Sequence, residues 1–339
     1  MHNTHWTKKL TVLLAALCLA LVGVSAFTPA RAQDWLLQVE GVPVSRAVYS
    51  FFLDQALPGA KRNADGSPKD TAALRKDVAA RCVAYYAVNS ELRARGVPLD
   101  QGLKAEVAAR TAFYWQAFGL YYSSIGVDKQ TLNAILAGEA ARDQLFRALY
   151  DAGGTRAAGE EALREYFYAN YAAYDGVRVF RTALQEDGTE REMTPGELAE
   201  LKAALREFVE AANEADDFYG VAQEERFEGV LSYMPFVTVA QKGSAAAGGG
   251  GELSDADFAK VRALSREKLA LVELEDFLLV AVGVDMSQAE EEYYLGCRAD
   301  CLWALCGEAY AEDLKALNAQ LRAVENVAAV ERLYREWAW

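Results

Sequence analysis

The chain reads as an α+β protein in which a mainly helical domain, made of N-terminal helices and a C-terminal helix, carries a small inserted α+β domain. Three observations predict this. Helix-period segments with polar starts and glycine stops fill residues 46–150, Val-, Leu- and Phe-rich runs of strand length cluster between residues 177 and 284, and helical periodicity returns from Ser287.

Residues 1–32 have the pattern of a secretory signal. Lys8 and Lys9 form a charged start, Leu10 to Phe27 an apolar stretch, and Ala30-Arg31-Ala32 a small-x-small site that predicts cleavage after Ala32. The chain is therefore expected to be exported to an extracytoplasmic setting: secreted, cell-surface or periplasmic. A signal retained as an anchor is the alternative, because eighteen mostly apolar residues lie near the lower limit for crossing a bilayer. Lipidation would need a small residue before Cys18, and Leu17 stands there.

Trp35 to Val44 is a short extended stretch that turns at Gly41 and Pro43, after which Ser45 caps a helix to about Leu57 with Val48, Tyr49, Phe52 and Leu53 along one side. Beyond a polar loop at Asn63 to Pro68, three helices declare their own ends: Asp70 to Arg95 before Gly96, Asp100 to Ile125 before Gly126, and Asp128 to about Tyr150 before Gly153-Gly154. A helix from about Glu160 to Tyr171 leads to a strand, Val177 to Leu184, whose turn is Glu186 to Thr189. Thr194-Pro195-Gly196-Glu197 is a capping box with proline at the first helical position, opening a helix to about Ala212. A short helix (Asp217 to Glu225), a mixed stretch (Val230 to Ala240) and a Gly/Ala-rich loop (Gly243 to Gly251) follow. Ser254 caps another helix, and Leu269 to Leu274 and Phe277 to Val284 pair as strands across Glu275-Asp276. The last helical pattern is interrupted at Gly296 and Gly307. The expected divisions are a signal (1–32), a helical domain (33–174), the mixed insertion (175–286) and a C-terminal segment (287–339) that packs back on the first helices.

Removing residues 1–32 leaves 307 residues with 32 basic against 49 acidic side chains, a formal charge of −17. Such a surface repels phosphate backbones and anionic headgroups, so no nucleic-acid partner is expected and membrane contact is confined to an uncleaved signal segment. Both histidines, His2 and His5, leave with the signal. That removes Ser-His-Asp and Cys-His arrangements and most catalytic zinc sites; no metal or cofactor is expected, and no nucleotide-binding loop is present. Cys82, Cys297, Cys301 and Cys306 are too sparse for a disulfide scaffold, and read either as buried apolar thiols or as a bridge from Cys82 to the C-terminal helix. Glu160-Glu161, Asp216-Asp217 and Glu290 to Glu292 are neighbours in sequence whose side chains point apart on a helix, which makes them solvated faces rather than an acid–base pair.

Three features resemble the SurA/PrsA group of exported foldases. Val39-Glu-Gly-Val-Pro-Val-Ser45 before the Tyr49/Phe52 helix is similar to the opening of the SurA-type N-terminal domain. Leu163-Arg-Glu-Tyr-Phe-Tyr-Ala-Asn-Tyr-Ala-Ala-Tyr174 with Val177-Arg-Val resembles the entry to a parvulin-type peptidyl-prolyl isomerase domain. Asp217 to Ala222, Leu253 to Leu264 and the strand pair to Val284 follow the parvulin order of elements. The resemblance implies an ATP-independent chaperone that binds unfolded or nascent exported polypeptides in a cradle between its helical and parvulin-like domains. It also implies a histidine pair beneath the proline site, and Arg181 and Leu278 stand at those positions here. The barrier to prolyl rotation is about 20 kcal/mol and is eased by a shaped apolar pocket and polar groups, without obligatory proton transfer. The insertion is therefore expected to be parvulin-like in fold and degenerate in catalysis. A surviving prolyl isomerase and a noncatalytic surface or assembly protein with one dedicated partner are the alternatives.

Two groups of residues are candidates for polypeptide contact. Phe113, Tyr114, Trp115 and Phe118, with Tyr121 and Tyr122, put six aromatics into ten residues; at about 100° per residue they surround a helix, so part must be core and part can face a client. Tyr233, Met234 and Phe236 are candidates for a proline-accepting pocket, as the resemblance implies. Tyr166, Phe167, Tyr168, Tyr171 and Tyr174 read as anchors of the linker helix against the next strand.

Overall fold

An Asp or Ser stands immediately before most of the helices, and in the computed structural model these residues act as caps. The structure describes residues 35–60, 63, 68, 70–185, 188–227, 229–231, 236–243, 245–246 and 250–337. The signal segment, its cleavage site and most of the Asn63–Pro68 loop lie outside them. The chain divides into two units: a sheet-bearing unit, Ala158–Leu305, and a helical unit that runs to Ala157 and resumes at Cys306.

β1 (Leu37–Val39) and β2 (Val42–Val44) form an antiparallel hairpin. Its two turn residues, Glu40 and Gly41, have φ of +50° and +76°, the handedness that matches strand twist. The Ser45 hydroxyl then accepts the Val48 N–H at 3.2 Å and starts α1 (Arg46–Ala56). α2 (Thr71–Ala94), α3 (Gln101–Ser124) and α4 (Lys129–Tyr150) begin at Asp70, Asp100 and Asp128. Their carboxylates accept the N–H of Ala73, Leu103 and Thr131 at 2.9, 3.0 and 2.7 Å, satisfying donors that the helix itself leaves free. α1 is buried on two sides rather than one. Tyr49 and Leu53 join Val78 and Cys82 of α2, while Val48 and Phe51 join Val107, Leu132 and Ile135 of α3 and α4.

In the sheet-bearing unit α5 (Glu160–Asn170) ends one residue earlier than the periodicity suggests, and β3 (Tyr171–Phe180) begins at once. Tyr171, expected at the end of the linker helix, is therefore a strand residue, as is Tyr174. The expected strand from Val177 to Leu184 breaks at Arg181; β4 (Thr182–Leu184) turns away to pair with β5 (Glu190–Glu192). α6 (Pro195–Ala215) carries the full capping box of Thr194 and Glu197. α7 (Phe218–Ala222), β6 (Phe236–Gln241), the short pair β7 (Ala245–Ala246) and β8 (Gly250–Glu252), α8 (Asp255–Arg262), β9 (Ala270–Glu273) and β10 (Phe277–Val284) complete it. The main sheet is antiparallel, in the order β6-β3-β10-β9. Its central strands are apolar on both faces because both are covered: Val177, Val179, Leu278 and Val280 meet Leu205 and Phe208 of α6, while Tyr174, Phe277 and Leu279 meet Phe258 and Val261 of α8.

The final helical pattern is not interrupted. α9 (Glu290–Ala319) passes through Gly296 and Gly307. Its buried positions, Tyr294, Cys301, Leu302, Cys306 and Tyr310, recur at helical spacing and outweigh the roughly 1 kcal/mol that each glycine costs. The acidic run at its start is structural: Glu290 and Glu291 accept from Arg164 of α5, the second at 2.9 Å, and Arg298 returns to Glu160 at 3.2 Å. Asp216 and Asp217 are likewise explained, as the left-handed end of α6 and the cap of α7. All four thiols are free, so the bridge from Cys82 to the C-terminal helix is not formed; burial pushes the Cys82 thiol up to about 12. After α9 the chain makes β11 (Ala323–Glu325), which pairs antiparallel with β1, and α10 (Val327–Glu336), whose Ala329, Val330, Leu333 and Tyr334 enter the α1–α2 core. The fold is mainly helical with a small inserted antiparallel sheet, the α+β class expected. Leu333→Ala should cost the helical unit about 2–5 kcal/mol, read as a lower urea midpoint of one unfolding transition; an unchanged midpoint would mean that the tail is not part of that core.

Candidate functional site

α3 buries little of itself. Val107 and Thr111 are its fully buried residues, and the cluster of six aromatics is split between inside and outside. Tyr114, Trp115 and Tyr122 are half-buried against the α1–α4 core, with Tyr122 stacked on Phe51 at 6.3 Å between centroids. Phe113, Phe118, Leu120 and Tyr121 are 66, 49, 93 and 50% exposed. Phe118 has φ −131° and ψ 15°, a break in the helix just before Gly119 that turns the last stretch of α3. Of the residues expected to meet a client, Phe113 and Phe118 are thus open, while Tyr114 and Trp115 are partly committed to packing. Leu120 and Tyr121 join the surface, which the aromatic count alone did not single out in the case of Leu120.

Next to this surface the helical unit has a groove of about 730 Å³. Leu57, Pro58, Ile125, Leu333 and Trp337 supply its apolar wall, with Tyr121 at its edge. The Tyr121 hydroxyl donates to the Asp54 carboxylate, and that bond pushes the phenol up to about 12. Arg46 and Glu336 pair across the groove at 2.8 Å. Ser50, Asp54, Ser123 and Ser124 complete a lining that is polar on one side and apolar on the other.

The second candidate region, in the sheet-bearing unit, is polar in a different way. Arg181 follows β3 and donates through Nη2 to the Leu274 carbonyl at 2.5 Å, tying the strand end to the β9–β10 turn. The same turn is held by Asp257, which is buried and accepts from Lys260 Nζ and from the Glu275 N–H, both at 2.8 Å. Leu278 is fully buried on the opposite, α6-facing side, across from Val179. Arg181 and Leu278 thus serve different packing tasks. Phe236 is 52% exposed at the start of β6, opposite Gly176; Tyr233 and Met234 lie outside the described residues. Sequence reasoning passed over Arg178. It is a charged residue inside an apolar strand, and it is buried; the signal was the lone arginine in Val177-Arg-Val-Phe180.

No family model matches the chain, and no curated protein matches it. Among solved structures it is similar to the foldase protein PrsA from Streptococcus pneumoniae str. Canada MDR_19A, with 13% identity over 83% of this chain and 92% of that one and a TM-score of 0.39. It is also similar to the foldase protein PrsA from Lactococcus lactis, with 9% identity over 90% of this chain and 99% of that one and a TM-score of 0.36. Among the described residues no helix is long and apolar enough to cross a membrane, and no group of His, Cys, Asp and Glu is arranged to hold a metal.

Burial raises the Asp257 carboxyl, but the Lys260 ammonium and the Glu275 N–H outweigh it and leave the group below the usual carboxylate range. Its contribution is therefore present above the unfolded value near 3.9 and lost as pH falls through the lower folded one. Asp257→Asn should cost the sheet-bearing unit about 1–3 kcal/mol at neutral pH, with the gap to the parent closing on acidification below pH ~4; a gap that is constant from pH 7 to pH 2 in urea titrations contradicts this.

Proposed function

We propose that the chain is an exported, ATP-independent chaperone that holds unfolded polypeptides on the outer surface of α3 and in the groove beside it. The observation that carries this reading is the exposure of Phe113, Phe118, Leu120 and Tyr121 on one helix. Large apolar side chains grouped on a surface are unstable in water unless something covers them, and a chain segment with no fixed structure is the cover that such a shallow, undirected surface suits. The acidic surface supports it, because like charge keeps copies apart while the apolar surface stays open. The leader pattern of residues 1–32 supports export.

The sheet-bearing unit is read as a degenerate parvulin-type domain. Its chain order of strand, helices, strand, helix and paired strands is the one the sequence resemblance implies. Its two expected histidine positions hold a backbone-tied arginine and a buried leucine. Proline exchange in a tetrapeptide should therefore proceed at the spontaneous rate with this protein present.

Light scattering of a denatured client, with and without the protein, tests the main reading. The double variant Phe113→Ser, Leu120→Lys should need about tenfold more protein for the same suppression, since each buried apolar side chain is worth about 1.5–3 kcal/mol. It should melt at the parent's temperature, because both side chains face water. Full suppression by the double variant, or none by the parent, would sink the proposal; catalysed proline exchange would make the sheet-bearing unit an enzyme instead.

A further inference from the structure

Strand alternation sends Ala172, Tyr174, Gly176, Arg178 and Phe180 to the α8-facing side of β3, and their neighbours on that side form an apolar cluster. Within it Arg178 is 8% exposed. Its guanidinium lies 5.6 Å from the centroid of the Phe277 ring, and its Nη1 is buried without an acceptor. No hydrogen bond or ion pair of its side chain is made among the described residues. Two carboxylates at that end of the sheet are engaged elsewhere: Asp257 with Lys260 and the β9–β10 turn, Glu273 with Lys202. Thr238, on β6 opposite Tyr174 and so on the same face, also has a buried hydroxyl with no partner, and the half-exposed Phe236 lies two residues before it.

A guanidinium taken out of water keeps its charge at any ordinary pH, so it cannot escape the cost of burial by losing a proton. An aromatic ring offsets part of that cost but accepts none of the N–H bonds. The group that answers both the charge and the planar fork of donors is a carboxylate. We propose that the α8-facing side of the sheet around Arg178 is a carboxylate-reading subsite, which takes an acidic side chain or a chain terminus of a bound polypeptide while Phe236 and Thr238 contact adjoining residues. This rests on the reading that the protein binds polypeptide, and it adds which segments are favoured. Because the rest of the molecule is acidic, an anionic segment is repelled at long range and attracted only at contact. Its binding should therefore hold or strengthen as salt rises, the reverse of an exposed ion pair.

The test is fluorescence anisotropy of the full-length protein with N-terminally labelled apolar pentapeptides, in two matched pairs. One pair differs in a free against an amidated C-terminus, the other, both amidated, in an internal Glu against Gln. At least one carboxylate form should bind about tenfold tighter than its neutral twin; the first pair alone responding assigns the chain terminus, the second alone the acidic side chain. Arg178→Met should abolish the difference, leave binding of the neutral peptides in place and raise the melting temperature of the free protein. Equal binding within both pairs, or a preference that survives Arg178→Met, overturns the proposal. Should that variant not fold, the matched pairs on the parent protein decide alone. Client suppression measured on the same sample separates the two readings: suppression with equal peptide binding defeats the subsite and leaves the chaperone, whereas its loss defeats the chaperone.

Discussion

The pairing of β1 with β11 is the constraint from which the helical unit follows. It joins Leu37 to Glu325 and Val39 to Ala323, and is extended by the Glu40 N–H to the Arg322 carbonyl and by the Asn326 N–H to the Leu36 carbonyl, both at 2.9 Å. β1 is three residues long and lies between β2 and β11, so both of its edges are satisfied only once the C-terminal end has arrived. The same closure delivers α10 to the core and sets Arg75 of α2 against Glu325 at 2.5 Å. Because loop-closure entropy grows only with the logarithm of length, about 0.6 kcal/mol per doubling, a whole sheet-bearing unit can be inserted at little further cost in chain entropy. The core of the helical unit therefore needs both ends of the chain and tolerates what lies between.

Much of this was legible because the sequence signals were local. Asp70, Asp100, Asp128, Thr194 and Ser254 each announce a helix start through a side chain that bonds a neighbouring N–H, and such a bond needs no tertiary partner. The strand pair around Glu275-Asp276 was equally plain. What was hidden depends on distant contacts. β11 is a three-residue strand whose strand character comes from its partner some 290 residues away. Gly296 and Gly307 weaken a helix locally, and only the buried faces of α9 against its surroundings override them. Tyr171 and Tyr174 suit a strand as well as a helix, and the sheet decides. On α3 the presence of the aromatics was legible but not their sides, since six rings in ten residues leave no stripe to read; the division was made by which neighbours α1 and α4 supply.

An apolar surface and a strongly acidic chain are complementary properties in one molecule. Phe113, Phe118 and Leu120 would draw copies together if the molecule were neutral. At −14 the self-repulsion acts over a Debye length, about 8 Å at physiological ionic strength, and opposes that association without touching short-range apolar contact. The exposed residues also sit on a helix held at its ends and along one side, with a break at Phe118, so their rings are presented by a backbone that the core fixes while the rings themselves stay free to adapt. Weak, adaptable contact of this kind needs no energy source for release.

The sheet-bearing unit makes a parallel point about chemistry. Histidine would bring a proton that can be shared near neutral pH; arginine brings a charge that stays fixed and five donors in a plane. At Arg181 one of those donors holds the Leu274 carbonyl, which ties the residue to the architecture of the turn. At Leu278 the side chain is sealed under α6, on the face of the sheet away from α8. Val179 and Val280 pack beside Leu278, so the surroundings of that position are apolar. On the α8 face a desolvated cation, Arg178, lies beside an aromatic ring. A guanidinium held there acts on its neighbours through its charge and its planar fork of donors.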